Sequence, residues 1–211
     1  MQKKYSSIYK SIAVSLLVFA AILLSIHFLD EGIAIRVMRF IRSFRPLHRA
    51  TENIPDILPD IVAVGTLLMW LIYFYRLYKK INDAKTQFLL LAAVTLPASY
   101  ILKTFFKHVF GRTNVRSWLL HHKPLIFDWF HRHGSGSFPS GHMAVFAAFG
   151  AALLLYFPKL RKPVIIFLIV LGVALIGTDY HFLSDVIAGA YLGFATTYVL
   201  HNLFEKIRNK S

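Results

Sequence analysis

There is no cysteine in the 211 residues. Disulfides, thiolate metal sites and cysteine nucleophiles are therefore excluded, and cysteine usage says nothing about the redox compartment. Acidic side chains are scarce: 10 Asp and Glu stand against 24 Lys and Arg, for a formal net charge of +14. No acidic pair suited to a divalent cation is visible, and the histidines are not spaced as zinc ligands. Neither a metal nor another cofactor is expected. Internal repeats and low-complexity tracts are absent as well.

What is abundant is apolar. Hydrophobic residues make up 56% of the chain, and the mean hydropathy of +0.55 exceeds that of an ordinary soluble domain. Six apolar runs stand out: Ser11–Leu29, Ile57–Tyr78, Phe88–Phe105, His142–Phe157, Val164–Thr178 and Val186–Phe204. A bilayer core needs about 20 helical residues, roughly 17–25. The fourth and fifth runs are short, which is tolerable where one end lies in a polar pocket inside the protein. A soluble bundle would need polar faces that these runs lack. The expectation is an all-α fold, a polytopic membrane helical bundle with six transmembrane helices, forming one domain over residues 1–211. The start, "MQKKYSSIYK", resembles the basic region of a signal peptide. The apolar part exceeds the usual roughly 7–15 residues, however, and no small-x-small cleavage site follows, so a retained span is expected.

The basic charge lies between the apolar runs, which points to anionic lipid headgroups before nucleic acid. Four compact clusters are placed in the cytoplasm: Lys3, Lys4 and Lys10; Arg76, Lys79, Lys80 and Lys85; Lys159, Arg161 and Lys162; Lys206, Arg208 and Lys210. Between spans one and two, "IAIRVMRFIRSFRPLHRA" sets Arg36, Arg39, Arg42 and Arg45 three residues apart, with Ile35, Met38, Ile41 and Phe44 in the same spacing. This pattern predicts an amphipathic surface helix, a basic collar that gathers anionic lipid. Arg49 extends it. The one long loop, from about Lys107 to Pro139, is rich in His, Arg and aromatics and is expected to be ordered and functional.

Three polar clusters fall at span ends on one predicted side. In "KTFFKHVFGR", Lys103 and Lys107 are four apart and share a helix face, and Arg112 follows the helix-breaking Gly111. Taken alone, snorkelling cations at a membrane edge look the same. In "FPSGH", Pro139 and Ser140 suit a helix start, whose open N–H groups and dipole attract an anion. Gly141 admits a close backbone approach, and His142 faces the bound anion. In "DYHFLSDVIAG", His181 and Asp185 stand at i, i+4, so the carboxylate can fix one ring nitrogen and leave the other as a nucleophile. An aspartate heading an apolar span is costly and marks function. Together these groups fit metal-free phosphoryl transfer. His181 attacks phosphorus, His142 acts as general acid and then base, and Lys107, Arg112 and the Ser140 and Gly141 amides hold the equatorial oxygens.

These residues resemble the type 2 phosphatidic acid phosphatase family, which shares its core with vanadium haloperoxidases and bacterial acid phosphatases. "PSGH" at Pro139–His142 matches in full, and "HFLSD" at His181–Asp185 matches the end of the third motif. The resemblance covers roughly Phe88 to Phe204 and implies His181 as nucleophile and His142 as general acid. It also implies a membrane lipid phosphate substrate; the compact cytoplasmic clusters and the even span number place the site at the outer face, expected to be that of a bacterial inner membrane. Phosphatidic acid, phosphatidylglycerol phosphate, polyprenyl diphosphate and lipid A phosphates all qualify. Two positions depart from the pattern. The Arg-Pro slot after the lysine reads Asn114-Val115, and the arginine expected six residues before His181 is Leu175. Arg116 and Arg132 are the candidates to replace it, and Lys103 is an alternative motif lysine. Transfer to a second lipid, or lipid binding without turnover, are the competing outcomes for the same site. A transporter fits less well, because the polar groups gather at one face rather than at the midplane.

Overall fold

The computed structural model describes residues 2–43, 57–130 and 136–210. Arg45, Arg49 and Arg132, and the side chains of Lys3 and Lys4, lie outside the described residues. Eight α-helices are present among the described residues. Helix α1 (Gln2–Leu24) runs through a π-helical turn (Ser25–Leu29) into α2 (Asp30–Ser43). Then come α3 (Leu58–Tyr78), α4 (Ala84–Phe110) and the short α5 (Val115–His121). Helix α6 (Gly141–Tyr156), α7 (Arg161–Gly177) and α8 (Leu183–Arg208) complete the set. No strand occurs among the described residues, only an isolated bridge between Arg112 and Phe127.

Among the described residues, five helices are long and apolar enough to cross a membrane: Tyr9–Ser43, Leu58–Tyr78, Ala84–Phe110, Pro158–Gly177 and Leu183–Arg208. Helix α6, with 16 residues, falls short of that length. It is nevertheless the centre of the bundle, in contact with α3, α4, α7 and α8. Its sequence explains the placement. A helix apolar on all sides suits a fully buried position, and Met143, Ala144, Val145, Ala147, Ala148 and Ala152 are all buried. Small residues let neighbours come close. A Cβ added to Gly189 of α8 would stand 2.5 Å from the Ser140 carbonyl oxygen, and one added to Gly193 would stand 2.3 Å from that of Ala144.

The outward faces are apolar too. Leu67, Leu71 and Phe74 of α3, and Ile166, Ile169 and Val173 of α7, are exposed. Contiguous apolar surface of this extent is what lipid covers. Between α1 and α7, over the face of α8, runs an apolar groove of about 890 Å³. One end is formed by Met143, Ile176 and Leu183, the other by Lys10 and Tyr198.

The helices overrun the apolar runs because their stops are local. Asp83 caps α4, its side chain accepting from the Thr86 N–H at 3.0 Å, and Gly111 ends it in the left-handed region at φ 53°. The expected surface helix differs in one respect: α2 is not separate. No stop signal divides Leu29 from Asp30, and the π turn absorbs the change of register. Arg36, Arg39 and Arg42 are exposed, whereas Ala34 and Ile41 are buried. Ala34 packs with Val115 of α5 and with Phe182, which anchors α2 beside the start of α8.

Candidate active site

The C-terminal end of α4, the N-terminal end of α6, the α7–α8 turn and the start of α2 meet at one end of the bundle. Arg112 holds them together. It follows the Gly111 cap, turns inward and is 1% exposed. Its Nη1 donates to Asp185 Oδ1 at 2.6 Å and to Ser184 Oγ at 2.7 Å, and its Nη2 donates to Asp30 Oδ2 at 2.8 Å. The guanidinium also lies 4.2 Å from the centroid of the Phe182 ring. The sequence pattern set Arg112 on the substrate phosphate. In the structure both Nη atoms meet buried carboxylates, since Asp30 and Asp185 would otherwise be uncompensated charges in an apolar interior, and Nε is left without a partner among the described residues. Asp30 closes the cluster by accepting from the Ser184 N–H at 3.1 Å.

Asp185 carries the organisation on to His181. Its Oδ2 faces His181 Nδ1 at 3.3 Å and accepts from the Phe182 N–H at 3.1 Å and from the Ser137 hydroxyl. With Nδ1–H directed at the carboxylate, Nε2 is the nitrogen left to react. The imidazole is 4% exposed. Burial pushes its pKa below the ordinary histidine value of 6.5; the Asp185 carboxylate opposes this, and the positive charges of Lys107 and Arg112 add to the lowering. A neutral ring is a competent nucleophile at neutral pH. The Leu175 carbonyl accepts from the N–H groups of both Tyr180 and His181 at 3.1 Å, which ties the turn down. The Leu175 side chain packs with Met143, Leu168 and Val186 in an apolar cluster.

Ser140 caps α6, its Oγ accepting from the Met143 N–H at 3.4 Å. Its own N–H donates to the Asp185 carbonyl at 2.9 Å. Of the two amides expected to hold phosphate, that of Ser140 is therefore occupied within the protein. The open donors of the helix start begin at Gly141. Lys103 passes directly over this point: a Cβ on Gly141 would be 3.3 Å from Lys103 Nζ. Lys103 is buried, with Nζ 4.0 Å from the centroid of the Tyr100 ring. Lys107 lies behind Gly136, which a side chain could not occupy without meeting the Lys107 backbone oxygen at 3.2 Å. Both candidate lysines thus approach the site.

His142 and His181 flank one aromatic ring. Tyr180 stands 5.5 Å from the His142 ring and 5.3 Å from the His181 ring, centroid to centroid, edge-on to both. Arg116 reaches the same turn from α5, Nη2 donating to the Thr178 carbonyl at 3.0 Å. Asp179 between them is buried at φ 53°, and desolvation raises its pKa to about 6 against the opposing pull of Arg116 and Arg42. Among the described residues no group of three or more His, Cys, Asp or Glu side chains gathers as a metal site would require. Sequence reasoning missed Asp30, Ser137, Tyr180 and Ser184. Only Asp30 left a trace, as an acid closing an apolar run.

Helices of membrane-crossing length with lipid-type outer faces define a polytopic integral membrane protein. The family model described as PAP2 superfamily matches residues 88–209, more than half of the chain. The chain belongs to the PAP2 superfamily. It is 46% identical over 57 residues to a lipid A 1-phosphatase of Rhizobium etli, a match covering 27% of this chain and 25% of that relative. The chain thus matches only about a quarter of the length of that relative. A crystal structure of a transmembrane PAP2 type phosphatidylglycerolphosphate phosphatase from Bacillus subtilis aligns with a TM-score of 0.47 at 18% identity. That alignment covers 94% of this chain and 98% of the other.

Proposed function

We propose that this protein is a membrane lipid phosphatase that works through a phosphohistidine. The observation that carries the proposal is the buried His181–Asp185 pair, set across Tyr180 from His142 and beside the start of α6. His181 Nε2 attacks phosphorus and the ester P–O bond breaks. The leaving oxygen takes its proton from His142. His142 then removes a proton from water, which attacks the phosphohistidine, releases inorganic phosphate and restores His181. Positive charge grows on the His181 ring as it attacks. Asp185 is placed to balance it, and Arg112 and Asp30 keep Asp185 in position. Lys103, Lys107 and the Gly141 amide stabilise the equatorial oxygens.

Lipid phosphates and diphosphates are the substrate class: phosphatidic acid, phosphatidylglycerol phosphate, polyprenyl diphosphate and lipid A phosphates. The local identity to a lipid A 1-phosphatase supports that class. So does the apolar groove that opens beside Met143 and Leu183, which closely follow His142 and His181 in sequence. In this reading α6 is the sixth span, kept short because its start lies in the polar site. The exposed arginines of α2 attract anionic headgroups at the rim. The membrane is a bacterial inner membrane and the site faces outward.

The test is phosphate release by the purified protein from a panel of those lipids, without added metal. Release is expected, vanadate is expected to inhibit it, and His142→Ala should lose about 10²–10⁴-fold in rate. Full activity of His181→Ala would sink the assignment.

A further inference from the structure

A phosphoryl group in transfer spreads its charge over three equatorial oxygens, and catalysis depends on donors already in place around them. One side of the site is supplied by Lys103, Lys107 and the start of α6. Both Arg112 Nη atoms are bonded to Asp30, Asp185 and Ser184, and its Nε is buried with no partner among the described residues. The other side is the turn Thr178–Phe182, and that turn contains no lysine or arginine. Leu175, just before it, points into the apolar cluster. A cation arrives from elsewhere. The guanidinium of Arg116 lies 5.5 Å from the centroid of Tyr180, the same ring that touches both His142 and His181. It is held there by the Thr178 carbonyl, and a planar fork of five donors can hold a carbonyl and a phosphate oxygen together.

Asp179 makes the arrangement costly. It is 9% exposed, its Oδ1 has no hydrogen-bond partner among the described residues, and its backbone is left-handed. A buried carboxylate short of partners destabilises the fold. Strained, expensive positions of this kind collect at working sites. Arg116 and Arg42 are the positive charges that act on it.

We infer that Arg116, held by the Thr178 carbonyl, binds the phosphoryl oxygens of the substrate from the Tyr180 side. The inference rests on the phosphatase reading for its substrate, but the anion site can be tested without turnover. Full-length protein in detergent is titrated with orthovanadate by calorimetry, and phosphate release is measured on the lipid that wild type cleaves best. Arg116→Ala is expected to weaken vanadate binding at least about tenfold and to lower kcat/KM about 10²-fold, the usual loss for one oxyanion donor. Arg116→Lys should recover part of both.

A lower melting temperature in Arg116→Ala with unchanged vanadate affinity would reduce Arg116 to a structural strut and overturn the inference. So would wild-type kcat/KM in that variant. Should Arg116→Ala fail to fold, Arg116→Lys and Arg116→Gln carry the same comparison. Wild type that binds vanadate through Arg116 yet cleaves no lipid would remove the phosphatase reading and leave this anion site standing. Wild type that cleaves lipid with no dependence on Arg116 would do the reverse.

Discussion

His181 has the most direct consequence at the scale of single residues. As the proposed nucleophile it would attack only when neutral, and its pKa in the folded protein lies below 6.5 because it is buried. The acid limb of a kcat/KM profile should therefore have its midpoint below pH 6.5; a midpoint at or above that value would contradict a buried neutral nucleophile. The same lowered pKa makes the unfolded chain bind the extra proton first. Stability contributed by His181 is thus lost as pH falls from 6.5 toward the folded value. Asp179 behaves in the opposite sense. Its folded pKa of about 6 is above the ordinary 3.8, so its penalty is complete above about pH 6 and vanishes below 3.8. Asp179→Asn is expected to stabilise the protein at pH 7.5 by up to about 3 kcal/mol, from two pKa units at 1.36 kcal/mol each. Thermal melts at pH 7.5 and pH 4 should show the gain shrinking. The Asp30–Arg112–Asp185 cluster is unforgiving in a different way. Arg112→Met leaves two buried carboxylates without their cation, and a loss of about 3–5 kcal/mol is expected in chemical denaturation.

Among the elements, α6 is most constrained by its neighbours. Its contact with α8 runs through Gly189 and Gly193, where an added methyl would overlap backbone atoms. Gly193→Ala should cost about 1–3 kcal/mol, the range for overpacking a close contact. Gly65 on α3 meets nothing within 4 Å. Gly65→Ala is the matched control and should stabilise α3 by about 1 kcal/mol through helix propensity alone. A comparison of the two melting temperatures checks the pair. Because α6 begins at Ser140 and the Ser140 N–H is held by the Asp185 carbonyl, the same contact that packs the bundle also sets His142 across Tyr180 from His181. Packing errors at Gly189 are therefore expected to reduce phosphate release as well as stability.

At the scale of the whole molecule, the absence of cysteine becomes useful. Single cysteines can be introduced without a background. Lys80 precedes α4 and Lys123 follows α5, so the two positions lie beyond opposite ends of α4. With the site facing outward, Lys123→Cys in intact cells should react with a membrane-impermeant maleimide, and Lys80→Cys only after permeabilisation. Reaction of Lys80→Cys alone in intact cells would invert the orientation and with it the side on which substrate is met.

Much of the fold was legible because its signals are local. The apolar runs and the helix caps at Asp83, Ser140 and Gly111 are each written within a few neighbouring residues. His181 and Asp185 are four apart in the chain and meet at 3.3 Å. The continuity of α1 with α2 was not legible, since a π turn has no sequence signature as plain as a proline or glycine. The partners of the two arginines were beyond reach for a stronger reason. Arg112 finds Asp30 across 82 positions and Arg116 finds Thr178 across 62. Hydropathy and spacing carry no record of such pairings. The sequence by itself determined a basic, cysteine-free helical membrane chain with two histidines and a carboxylate at helix starts. Only the tertiary structure decided that Arg112 meets Asp30 and Asp185 and that Arg116 meets the Thr178 carbonyl. A buried carboxylate takes the cation that the packing of distant helices brings to it.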